Sequence, residues 1–141
     1  MPASLKILIA EDDPISKRVL TKTLQDLGYD VIHASDGRAA FELFRSDPTP
    51  IVISDWMMPG RDGISLCQDI RGLNRTEYTH FILLTARVDR ESYRHAMSAG
   101  VDDFLTKPLN REELAIRLRV SERVVLQRRT EIGRASCRER V

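Results

Sequence analysis

Several things are scarce in this sequence, and each shortage removes a class of protein. Only two of the 141 residues are cysteine, Cys67 and Cys137, and they form no CxxC pair. That excludes a disulfide scaffold, and each is read as a free thiol. The three histidines, His33, His80 and His95, have no His or Cys partner at metal-ligand spacing. They are expected to be structural or solvated, and neither a zinc site nor a phosphohistidine is expected. No apolar run approaches the roughly 18 residues that cross a bilayer. The opening MPASLK lacks a basic segment leading into a long apolar stretch, so no signal peptide and no membrane partner are expected, and the expected location is cytoplasmic. An excess of one charge is missing too: 22 basic residues face 21 acidic ones, for a net charge of +1. Direct nucleic-acid binding is therefore not expected. A GxxxxGK[ST] loop is absent, which argues against direct use of ATP. The chain contains no internal repeat and no low-complexity stretch.

What is present is a regular alternation. A 42% hydrophobic and 30% charged composition suits one ordinary globular domain with a real core. Residues 5–10 (LKILIA) are apolar on both faces, as a buried parallel strand must be, and end in Glu11-Asp12-Asp13. Pro14 opens a helix in which Ile15, Val19, Leu20, Leu24 and Leu27 recur at helical spacing until Gly28. A second strand spans 29–34, and a second helix carries Ala39, Ala40, Leu43 and Phe44. The third strand, 51–54, delivers Asp55 at its carboxyl end. The loop 57–63 leads into a helix over 64–71, followed by strand four at 81–84 with Thr85 at its end. A weaker helix covers 90–99, strand five covers 101–105, and Lys107-Pro108 follow. The last helix starts near Asn110 and continues to about Arg129. Five such units predict an α/β fold: a flavodoxin-like, doubly wound, five-stranded parallel sheet of order 2-1-3-4-5 with five helices.

In that order strands one, three, four and five are neighbours, so Glu11, Asp12, Asp55, Thr85 and Lys107 converge at one crevice. Crowded carboxylates repel and protonate unless a cation intervenes. An all-oxygen site suits a hard divalent ion, magnesium first and manganese as an alternative. Such an ion bridges a carboxylate and a phosphoryl group and neutralises developing charge. Thr85 can then hydrogen-bond one phosphoryl oxygen and Lys107 can pair with another. Asp55, already ionised at neutral pH, is the nucleophile. Asp13, directly before a helix, is read as a helix cap rather than a metal ligand. Trp56 and Met58 are read as packing residues, and Asp102-Asp103 as a turn with solvated charge.

The motifs ILIAEDDP, ISDWMMPGRDG, LLTAR and AGVDDFLTKP, in this order, resemble the receiver family of two-component signalling over residues 5 to about 128. Their separations agree as well: 43 residues from Asp12 to Asp55, 30 from Asp55 to Thr85 and 52 from Asp55 to Lys107. The resemblance implies a response regulator of the CheY-like superfamily in which Asp55 takes phosphate from a sensor histidine kinase or phosphotransfer protein. It implies Glu11, Asp12, Asp55 and the Met57 backbone carbonyl as metal ligands, Thr85 and Phe104 as switch residues, and a cis bond at Lys107-Pro108. Met57, Ala86 and Arg87 would flank the phosphoryl group. The expected response is a change of the surface made by helix four, strand five and helix five. A homodimer through that surface, where Asp103, Glu113 and Arg117 lie, or through the C-terminal helix is a further expectation.

The domain reading is a receiver over 1–120 and a helical extension or linker over 121–130. The tail 131–141, EIGRASCRERV, resembles the translation of a sequencing-library adapter and is read as non-native. The sheet-covering face of the last helix is expected to end near Val120. The segment LAIRLRVSERVVLQRR resembles the linker of receivers joined to diguanylate cyclase output domains. A stand-alone phosphorelay receiver is the alternative. An aspartyl-nucleophile phosphatase is a third reading, disfavoured because Met57 stands where such enzymes want a second acid. A flavin module is disfavoured by the acidic loop after strand one. No enzymatic activity is expected beyond slow self-phosphorylation and self-dephosphorylation.

Overall fold

A computed structural model describes residues 5–73, 75–86 and 89–139, with side chains described as far as Arg129. Its elements alternate without exception: β1 Lys6–Ala10, α1 Pro14–Asp26, β2 Asp30–Ala34, α2 Gly37–Ser46, β3 Ile51–Asp55, α3 Gly63–Arg71, β4 His80–Thr85, α4 Arg90–Ser98, β5 Asp103–Thr106 and α5 Arg111–Glu139. The five strands form one parallel sheet in the order β2-β1-β3-β4-β5, the predicted α/β arrangement.

The sheet separates two apolar clusters. Leu8, Val52, Phe81 and Leu83 face α2, α3 and α4, where they pack with Ala40, Phe44, Leu66, Cys67 and Ala96. Ile7, Ile9, Ile51, Ile53, Ile82 and Leu105 face α1 and α5, packing with Leu20, Leu24, Leu114, Leu118 and Val125. Alternate residues of each strand thus serve opposite layers, which is why the strands read as continuous apolar runs.

All five helices start on the same device. The side chains of Asp13, Asp36, Asp62, Asp89 and Asn110 accept the backbone N–H three residues on, at 2.7–3.0 Å. Such a cap is worth about 1 kcal/mol. Asp13 is accordingly a cap, as expected.

Four sequence-based expectations need correction. Strand five begins at Asp103, not Val101: the Val101 N–H closes α4 onto Ala96 O (3.2 Å), and pairing starts at Ile82 opposite Asp103. Asp102 is not a solvated turn charge. It accepts hydrogen bonds from Arg71 Nη2 (2.6 Å), the Phe81 N–H (2.8 Å) and the Tyr78 hydroxyl. The apolar stripe of α1 is only half used, since Leu20 and Leu24 are buried whereas Ile15 and Val19 are exposed. Finally, packing of α5 does not stop near Val120. Ser121 and Val125 are buried, and Arg129 donates to Tyr78 O at 3.1 and 3.2 Å. Residues 121–129 therefore continue along the sheet layer rather than leaving it.

Candidate functional site at the carboxyl ends of the strands

β1, β3 and β5 deliver charged groups to the same crevice. Lys107 Nζ donates to Asp55 Oδ2 at 2.9 Å and to Glu11 Oε1 at 3.2 Å, joining three separate strand ends. Glu11, Asp12 and Asp55 each offer a carboxylate oxygen within 4.8 Å of the others. Glu11 and Asp55 are buried and Asp12 is exposed, so the cluster opens to solvent through Asp12.

The backbone fixes these positions. The Glu11 N–H donates to Ala34 O, Trp56 N–H to Leu84 O, Gly63 N–H to Trp56 O and Lys107 N–H to Thr85 O, all at 2.8–3.1 Å. Each loop is thus anchored to a neighbouring strand just past the sheet edge. At Gly63 the approach is so close that an added Cβ would lie 2.4 Å from Asp55 O and 2.7 Å from Leu83 Cδ1. Glycine here lets α3 begin directly against the Asp55 backbone.

The electrostatics are unbalanced. Burial first, and then the adjacent Asp55 carboxylate, push Glu11 up to about 7 against the pull of Lys107. Burial alone would lower Lys107, but its contacts with Asp55 and Glu11 outweigh that, and the net shift is upward. One ammonium cannot satisfy three carboxylates. Glu11 Oε2 is buried with no hydrogen-bond partner among the described residues, a costly state for a carboxylate oxygen. An acidic pocket with an orphaned buried acceptor and an open side fits a hard divalent cation.

Thr85 is buried at the end of β4, and Ala86 is exposed beside it. Met57, two residues beyond Asp55, is 74% exposed. Phe104 is half-buried against the α2–α4 cluster, its ring stacked on Tyr93 with centroids 5.1 Å apart. The Lys107-Pro108 peptide is cis, as the resemblance implied. Trp56 and Met58 pack against the core. Arg87 lies outside the described residues. Asp103 pairs within the chain with Arg117 at 3.5 Å. Sequence reasoning missed Asp102, Arg71 and Tyr78 as a linked group; the acidic pair after Gly100 was the visible signal, but its partners lie 24 and 31 residues away.

Comparison with known proteins agrees with this geometry. Residues 7–119 match the family described as Response regulator receiver domain. The response regulator MprA of Mycolicibacterium vanbaalenii is 40% identical over 116 residues, which are 82% of this chain and 49% of that protein. The receiver domain of the Francisella response regulator 1452 superimposes with a TM-score of 0.78 at 34% identity, covering 86% of this chain and 99% of that one. The chemotaxis protein CheY4 of Vibrio cholerae gives 0.80 at 29% identity, covering 84% and 99%. The chain spans a little under half the length of the curated relatives it matches. Among the described residues no helix is long and apolar enough to cross a membrane. Strand order, the acidic crevice and the match over most of its length converge, and the chain belongs to the response regulator receiver domain family.

Proposed function

We propose that Asp55 is the phosphoacceptor and that the chain works as a magnesium-dependent switch. The observation that carries this reading is the Lys107 ammonium held between Asp55 and Glu11, with Asp12 open to solvent beside them. Glu11, Asp12, Asp55 and the Met57 carbonyl would hold the ion, with manganese as a substitute. When bound, the ion supplies charge neutralisation for the incoming phosphoryl group. An Asp55 carboxylate oxygen attacks phosphorus, the phosphorus–nitrogen bond of a kinase or phosphotransfer phosphohistidine breaks, and the leaving imidazole keeps the electron pair and takes up a proton. In this reading Lys107 pairs with one phosphoryl oxygen and the Thr85 hydroxyl hydrogen-bonds another. By the same reading Met57 and Ala86 border the approach for hydrolytic water.

The switch then biases a pre-existing equilibrium at the face built from α4, β5 and α5, with Phe104 following Thr85 inward. Its stacking on Tyr93 places the ring at that face. A C-terminal output region is supported by the roughly doubled length of the relatives. A transcriptional output follows the printed names of relatives such as RprY of Bacteroides fragilis, whereas a diguanylate cyclase output follows the 114–129 segment. Pairing of two receivers through α4–β5–α5 or through α5 would serve either. A stand-alone receiver requires no output at all. The site has no acid two residues beyond Asp55, so a turnover phosphatase is not favoured.

The test is phosphate incorporation from acetyl phosphate with Mg2+, read by mass spectrometry of the intact chain. The wild-type chain should gain one phosphate, and Asp55→Ala none. Incorporation persisting in Asp55→Ala would overturn the assignment.

A further inference from the structure

At the opposite end of the sheet, an open cleft of about 380 Å³ lies between the end of α3, the segment leading into β4 and the far part of α5. Small-ligand sites begin at about this size. Its walls carry Arg71, Arg75 and Arg128 together with Tyr78, Glu77 and Asp102. Arg129 lies beside it and holds Glu77 at 2.9 Å.

The charges here do not balance. Asp102 is taken by Arg71, whose guanidinium also donates to Thr79 O and Gly100 O and so forms a fixed wall. Glu77 is taken by Arg129 and reaches Arg75 only at 3.9 Å. Arg128 has no ion-pair partner among the described residues. Among the described residues four guanidiniums thus share two carboxylates, and a surplus of two positive charges remains on Arg75 and Arg128. Nor are these two free to wander. Arg128 lies over the Tyr78 ring at 4.7 Å and Arg75 over the Phe44 ring at 5.2 Å. Stacking holds each planar fork in place; Arg75 Nη1 also donates to Thr79 Oγ1 at 3.3 Å, and the remaining N–H groups of the two forks are able to bond.

We propose that this cleft binds a ligand carrying a diphosphate group. Arginine forks match phosphate oxygens bidentately. A single sulfate or phosphate can carry two charges but only on one group, whereas a diphosphate divides its charge between two phosphoryl groups, one for each fork. Because Arg128 belongs to α5, an occupied cleft ties the far part of that helix to the segment before β4, independently of Asp55.

The experiment is a 15N NMR titration of the full chain with sodium pyrophosphate and, separately, with ADP. It is run with a chelator and no divalent ion, so that the acidic crevice repels both probes. Saturable shifts at residues 75–79, 100–102 and 128–129 are expected, with a Kd below about 1 mM. Arg75→Gln and Arg128→Gln should each weaken binding about tenfold or more, with unchanged phosphate incorporation at Asp55 reporting an intact fold. Equal affinity for the two probes would identify the diphosphate alone as the recognised group; tighter ADP binding would add the nucleoside, and both outcomes support the site. No saturation by about 10 mM, shifts centred on Asp55 and Lys107, equal binding of sodium sulfate, or wild-type affinity in both variants would each overturn it.

Discussion

At the carboxyl ends of β1, β3 and β5, three carboxylates gather round one ammonium; beside the amino ends of β4 and β5, four guanidiniums gather round two carboxylates. The first cluster leaves a buried oxygen without a partner. The second stacks its surplus cations on aromatic rings, where a positive charge is tolerated. The contrast follows from side-chain chemistry. A desolvated carboxylate has to find a proton or a cation, whereas a guanidinium can rest on a π-face and stay charged. One end is therefore poised to take a cation and the other an anion.

The largest effect is expected from crowding the acidic end. Gly63→Ala should cost about 3 kcal/mol, because the new methyl meets the Asp55 carbonyl and Leu83. A urea midpoint unchanged from wild type would show that α3 can retreat and that the close approach is dispensable. Next comes the basic end. Asp102→Ala removes the acceptor shared by Arg71, Tyr78 and the Phe81 N–H, and should cost about 2 kcal/mol. A loss under about 0.5 kcal/mol would make that group ornamental.

A smaller effect separates the two ends directly. Saturating Mg2+ should raise stability by about 1.4 kcal/mol at ten times its Kd. Trp56, the only tryptophan and next to Asp55, should report the binding by its fluorescence. Asp12→Asn should shift that titration to higher Mg2+ without altering diphosphate binding at the far cleft. The smallest effect concerns pH. His80 is buried with neither ring nitrogen hydrogen-bonded among the described residues, although Nδ1 lies 3.9 Å from Asp102 Oδ2, and desolvation holds its imidazole below the ordinary value. The unfolded chain therefore takes up the proton first, and this contribution to stability falls as pH drops through about 6.5. Glu11 acts in the opposite direction without metal, since its folded carboxyl is protonated first. Comparing the thermal midpoints of wild type and His80→Phe isolates the histidine; parallel pH profiles between about 7 and 5 would refute it.

How much of this was readable in the sequence depends on how local each signal is. Runs such as ILIA and IVIS announce buried parallel strands because both faces are covered, and Asp55 and Lys107 were legible because strand ends fix where they must meet. Asp102 was misread because its meaning comes from Arg71 and Tyr78, which no spacing rule links to it. The sheet-covering face of α5 runs past the Val120 expected for its end, because its burial depends on how far the sheet layer extends. The buried Ser121 and Val125 show that it extends further. Ile15 and Val19 have helical periodicity yet stay exposed, since periodicity marks an apolar face without saying that this chain covers it.

The sheet also partitions the routes by which a change can spread. Phe104 packs on one layer, while Leu114, Leu118 and Val125 of α5 pack on the other. No apolar side chain on the first layer can push directly on the second. In the proposed switch a rotation of Phe104 reaches α5 either through the backbone of β5 or around its unpaired margin, where Asp103 pairs with Arg117. In that switch the four-residue edge strand is the narrow passage between the two layers, so a change in β5 alters the coupling without touching the acidic crevice.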